Sequence, residues 1–181
     1  MGSVVLAVLL LAAAGCGSAG PTIPPEAPRG PVTETAVDGR FQVTFTIDRG
    51  VVESDEAITG TAKLELVVPG GVTLTGSDQV FGFDFVEVGG EGRQVAPAHD
   101  DMCSQHRLTG NTPIVSPIVK TGGTTGNGPH DAFITDFLQG PDVRLPQGTW
   151  DISAIAFFVD GQACQGAQHM MAATVRVYVT E

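Results

Sequence analysis

From Phe41 to Asp48 the side chains alternate strictly, with Phe41, Val43, Phe45 and Ile47 apolar and Gln42, Thr44, Thr46 and Asp48 polar. Successive residues of a strand point to opposite faces, so this is the pattern of a half-buried strand. The period recurs along the chain. Ile58, Ala62, Leu64, Leu66 and Val68 share one face opposite Thr59, Thr61, Lys63 and Glu65, and Pro69-Gly70-Gly71 closes the run. A short strand at Val72 to Leu74 precedes Phe81, Phe83 and Phe85, spaced by twos and therefore core candidates. Trp150, Ile152, Ala154 and Ala156 alternate again, as do Met171, Ala173, Val175, Val177 and Val179 against Ala172, Thr174, Arg176 and Tyr178, which together predict a closing hairpin.

The 24 Gly and 12 Pro, with few helix formers in runs, support turns and strands over helices. Residues 90 to 130 carry a strand signal only at Ile114 to Val119 and read as a long loop-rich excursion; Asp131 to Leu138 reads as a further short strand or an irregular crossing. Seven to nine short strands with a turn every ten or so residues predict an all-β antiparallel sandwich of the immunoglobulin or fibronectin type III kind. The alternative is a lipocalin-like barrel, which would want more even strand spacing.

The N-terminus has a different composition. Val4 to Ala14 is an unbroken apolar run, too short to span the ~30 Å of a hydrocarbon core and of the length of a signal-peptide core. The stretch Leu11-Ala12-Ala13-Ala14-Gly15-Cys16 resembles a lipobox, with Ala13 where leucine is usual. The resemblance implies cleavage before Cys16, lipidation of that cysteine and an extracytoplasmic, membrane-anchored location. Gly17 to about Thr35 is rich in Pro and Gly and reads as a semi-extended spacer. The expected organisation is a signal peptide over residues 1–15, a lipidated tether over 16–38 and one domain over 39–181.

Lys and Arg number 9 against 20 Asp and Glu, and because residues 1–15 carry no charge the net of -11 falls on the exported part. Such a surface repels phosphate backbones and anionic lipid heads, so nucleic acid is excluded as a partner and the membrane contact rests on the lipid alone.

Further along, the opening strand from Phe41, Glu56-Ala57-Ile58, Cys103, Val119-Lys120-Thr121-Gly122-Gly123, Leu145-Pro146-Gln147-Gly148-Thr149-Trp150, and Cys164 five residues before His169 resemble an uncharacterised family of bacterial lipoproteins with a single immunoglobulin-like domain. The resemblance covers most of residues 40–180. It implies the sandwich, with Trp150 covering one end of the core, and carries no activity with it.

Cys103 and Cys164 are the cysteines left after Cys16, and an even count in an oxidising compartment predicts a disulfide. It would tie the long excursion to the tip of the last hairpin. The alternative left open is a pair of thiols serving Cu or Zn, because Met102, Cys103 and His106 lie close in sequence, as do Cys164, His169, Met170 and Met171. His99-Asp100-Asp101 and His130-Asp131 put carboxylates in loops and read as solvated turns in preference to a calcium site. Thr121 to Gly128 is Gly-rich but lacks the lysine and following helix of a phosphate loop.

No nucleophile elbow, zinc-protease helix or free Cys-His pair is present, so no catalytic residue is assigned. With one Trp, expected in the core, and Tyr178 alone on a solvent face, an aromatic platform for sugars is thin. The resulting expectation is a non-enzymatic binding or structural module of the cell envelope without a cofactor. A protein partner would be met by the loops of residues 90–130 and 161–168. The second reading is an extracytoplasmic metal-binding protein using Cys103, His106, Cys164 and His169.

Overall fold

A computed structural model describes residues 23–98, 102–123, 126 and 128–181. Cys16, the export segment, His99-Asp100-Asp101 and three residues of the Gly-rich loop lie outside the described residues. Among the described residues, eleven strands form two sheets face to face, accompanied by one helix.

The first sheet has the order β1 (Val32–Asp38), β2 (Phe41–Ile47), β4 (Gly60–Leu66), β9 (Ile114–Pro117), all antiparallel. The alternation read at Phe41 sets its inner face. Phe41, Val43, Phe45 and Ile47 are buried, and the register places Phe45 opposite Ala62, a large side chain across from a small one. Val68, expected on the same inner face, stands beyond the end of β4 and is exposed.

The second sheet is built on the hairpin of β10 (Gly148–Asp160) and β11 (Ala167–Thr180), which stay paired from Gly148–Val179 to Asp160–Ala167. On its far flank β10 meets two strands end to end. β6 (Phe81–Glu87) takes Trp150 to Ala156 and β5 (Gly71–Gly76) takes Val159 and Asp160, with Ser77–Val80 looped out between them. Outside these lie β7 (Gln94–Val95) on β6 and β8 (Ser104–Thr109) on β5. The other flank is closed by β3 (Val51–Glu53), parallel to the end of β11. β2 runs on into β3, so one stretch of chain serves both sheets, and the two antiparallel-rich sheets make an all-β sandwich.

Three elements differ from the sequence reading. β1 lies within the stretch read as tether. Its outward Thr33 shares a hydroxyl hydrogen bond with Thr46 (2.8 Å), and it runs beside β11, where Asp38 meets His169. It has no fully buried side chain, which is why the apolar pattern does not reveal it. β8 carries the polar run Ser104-Gln105-His106-Arg107 at a sheet edge, inside the stretch read as loop. The segment Asp131–Leu138 is a helix, α1, where a strand or irregular crossing was expected. Phe133 with Phe137 and Ile134 with Leu138 are four apart, so they share one helical face, and that face lies on the core. No helix among the described residues is long and apolar enough to cross a membrane.

Candidate functional site

The two domain cysteines are joined as a disulfide. Cys103 stands just before β8 and Cys164 in the turn between β10 and β11, with Cα atoms 5.8 Å apart and a sequence separation of 61. Both residues are exposed. The turn itself is unusual, since Ala163 (φ 52°) and Cys164 (φ 56°) are consecutive left-handed residues without a glycine's freedom. Buried Thr75 holds them: its hydroxyl accepts the amide of Cys164 (3.1 Å) and donates to Gly161 O (3.3 Å). The long excursion and the hairpin tip are thereby fixed as one surface.

The two histidines paired with these cysteines in the metal reading are engaged elsewhere. His106 Nε2 donates to Ser77 O (2.8 Å). His169 donates from Nδ1 to Asp38 (2.7 Å), stacks on Phe158 at 5.1 Å and meets Phe41 edge-on at 4.9 Å. No group of three or more His, Cys, Asp or Glu among the described residues is placed to hold a metal ion. His130 and Asp131 form the start of α1, where the Asp131 carboxylate accepts the amide of Gly128.

The buried charge of the domain lies at the opposite end and was not anticipated. Glu87 ends the inward series Phe81, Phe83, Phe85, and that position is the signal that marks it. Its carboxylate accepts Arg93 Nη2 (2.7 Å) and Nε (3.0 Å) and the amides of Glu91 and Arg93. The Arg93 hydrogen bond holds Glu87 below its ordinary range against the opposing effect of burial. The guanidinium lies against both the Phe133 ring (5.3 Å) and the Trp150 ring (5.5 Å), which contact each other at 5.8 Å, and Trp150 Nε1 donates to Pro146 O (3.0 Å). A Cβ on Gly90 would fall 2.5 Å from Glu87 Oε1. With its partners in place and no room beside it, this cluster seals the end of the core.

The surface best suited to recognition is the outer face of β10 and β11. Outward positions on a one-sided sheet are ordinarily polar. At the lower end they are: Asp151 pairs with Arg176 (2.8 and 2.9 Å), and Ser153 shares a hydrogen bond with Thr174 (2.8 Å). Above them the rule fails. Ile155 lies between Gly82 and Ala172, and Phe157 lies opposite Met170, which is 76% exposed. The strip continues into a cavity of about 170 Å³ lined by Gly76, Met102, Phe157, Val159, Cys164 and Gln168. Met102 is 55% exposed, whereas neighbouring Met171 points into the core at 4%. An apolar centre with a polar rim is the anatomy of a recognition surface. A larger cleft of about 460 Å³, between the turns at Val67–Gly70 and Thr109–Asn111, has no aromatic or ionisable side chain in its walls.

No model of a known protein family and no curated protein sequence matches the chain.

Proposed function

We propose that this protein is a lipid-anchored, extracytoplasmic, non-enzymatic binding module, of the lipoprotein kind that its N-terminus and motifs resemble, and that its partner docks on the apolar strip of β10 and β11. The strip, with its polar lower rim and the disulfide-held tip beside it, is the observation that carries the reading. Its position supports it. The chain joins the domain at Val32, near Gly50 and Tyr178, and the tip lies about ten residues of extended strand further along, roughly 30 Å from the tether. A module anchored at one end would present such a strip away from the bilayer.

The anchoring is tested by fractionating cells that produce the chain or its Cys16→Ser variant. The unaltered chain is expected in the membrane fraction with the added mass of its acyl groups, and the variant in the soluble fraction; equal partition of the two defeats the lipid assignment. The docking face is tested by photo-crosslinking residues placed at Met170 and, as a control, at Thr44 on the outer face of the first sheet. A discrete adduct at position 170 and none at 44 is the expected result, and adducts equal at both positions refute it.

A further inference from the structure

We infer that Met102 and Met170 form an oxidation site near the hairpin tip, at which a peroxide converts surface thioethers to sulfoxides while the core and the disulfide are spared. The described residues hold five sulfur side chains, and four of them, Met102, Cys103, Cys164 and Met170, are exposed toward the end of the sandwich where β10 turns into β11. Met102 immediately precedes the disulfide and lines the cavity of about 170 Å³ with Phe157 and Cys164, and Met170 lies opposite Phe157 in the register of the hairpin. The fifth, Met171, points the other way into the core.

Oxidation requires the sulfur lone pair to meet the oxidant, so its rate follows exposure. Met170 is 76% exposed and Met102 55%, against 4% for Met171. In the step itself the sulfur gives up two electrons. The O–O bond of the peroxide breaks, one oxygen forms the S–O bond, and the other leaves as water with both hydrogens. Cys103 and Cys164 do not compete, because in the disulfide they hold no thiolate, the form in which cysteine oxidation begins. The indole of Trp150 is buried under Arg93. The fold also tolerates the product where it forms. A sulfoxide is polar and costly in a core, but at an exposed position its oxygen is solvated, and a side chain as open as Met170 has little buried contact to lose. A sulfoxide reductase with a dithiol donor returns the thioether, the oxygen leaving as water while the dithiol closes to a disulfide, so the site is reversible. It stands whether or not a partner docks on β10 and β11.

The test treats the full exported chain with dilute hydrogen peroxide and follows each methionine by mass mapping of fragments. Met170 and Met102 are expected to gain oxygen about tenfold or more faster than Met171 in the folded chain, and all three at similar rates in urea, where the difference in exposure is gone. The urea midpoint of the doubly oxidised protein should match that of the untreated one. Met171 keeping pace in the folded chain, a lowered midpoint, or oxidised cysteine appearing ahead of the sulfoxides overturns the inference. Met102→Leu with Met170→Leu, at exposed positions where the exchange leaves the core as it is, should abolish the fast uptake; if fast uptake persists in that variant, the reaction lies elsewhere and the site is refuted. Treatment with the reductases for the two sulfoxide epimers should restore both thioethers, and sulfoxides that resist them overturn the reversibility.

Discussion

Replacing Arg93 by methionine keeps an unbranched apolar stem beside the rings of Phe133 and Trp150 and removes the charge that holds Glu87. The Glu87 side chain is 4% exposed, and in the variant its carboxylate would keep only the amides of Glu91 and Arg93 as donors. Stranding a buried charge by removing its partner costs about 3–5 kcal/mol, whereas replacing both members costs much less. For a domain of this size each kcal/mol lowers the midpoint of thermal unfolding by roughly 2–4 °C, so Arg93→Met should lower it by about 6–20 °C. The loss should depend on pH with a definite sign. Glu87 in the unaltered protein is held below its ordinary value of 4.5, so its pairing stabilises the fold fully above that value and is lost as the pH falls through the lowered one. In Arg93→Met burial acts without the arginine and pushes the carboxyl up, so acidification neutralises the stranded group early. The gap between the two proteins is therefore widest near neutrality and narrows below about pH 5. Urea unfolding from pH 4 to pH 7, with Glu87→Gln and the double variant completing a cycle, measures both effects. A gap that ignores pH, or a double variant as costly as the sum of the single ones, would refute the reasoning.

Opening the disulfide, by Cys103→Ser with Cys164→Ser, should cost about 4 kcal/mol in urea unfolding, the chain-entropy value for a loop closed across 61 residues. A loss below about 1 kcal/mol would mean that the tip is held by Thr75 alone. Ala163→Gly should stabilise by up to about 1 kcal/mol, because a left-handed alanine is relieved; destabilisation would show that its φ is not a cost the fold bears. A chain begun at Gly39 should be about 1–3 kcal/mol less stable than one begun at Pro31, since it lacks β1 and its cross-strand pairs with β2; equal midpoints would return residues 32–38 to the tether.

Two of the motifs that draw attention in the sequence, Leu145 to Trp150 and Val119 to Gly123, serve the sealed end of the sandwich. Pro146 supplies the carbonyl for Trp150 Nε1, and a side chain on Gly148 would crowd both that nitrogen and Glu87. Lys120 donates to Gln139 O (2.8 Å) at the end of α1 and lies over the ring of Phe137, while Thr121 accepts the amide of Phe83 (2.9 Å) on an edge of β6 that β7 does not reach. Gly122 passes Val95 so closely that a Cβ would fall 2.9 Å from its methyl. These residue types are fixed by packing, so they were legible as shape and silent about function. β2, β4, β6, β10 and β11 were legible because each buries one face, and period two survives wherever one face is wet and the other dry. β1 and β8 were not, because edge strands with little buried surface are polar in both registers.

The same physics shows where a functional signal could have been read. In β10 the run Ile152-Ser153-Ala154-Ile155-Ala156-Phe157-Phe158-Val159 begins with an alternation that places Ser153 outward, then loses it, so that Ile155 and Phe157 occupy outward positions. Met170-Met171 does the same on β11, one methionine outward and one inward. An outward apolar residue gains nothing from the core, and a row of them across two paired strands lowers solubility without adding to folding stability. Failure of alternation within an otherwise regular hairpin therefore locates this face better than the composition of the loops does. The loops named from the sequence contribute Met102 and the disulfide at its upper margin, but its centre is on the strands.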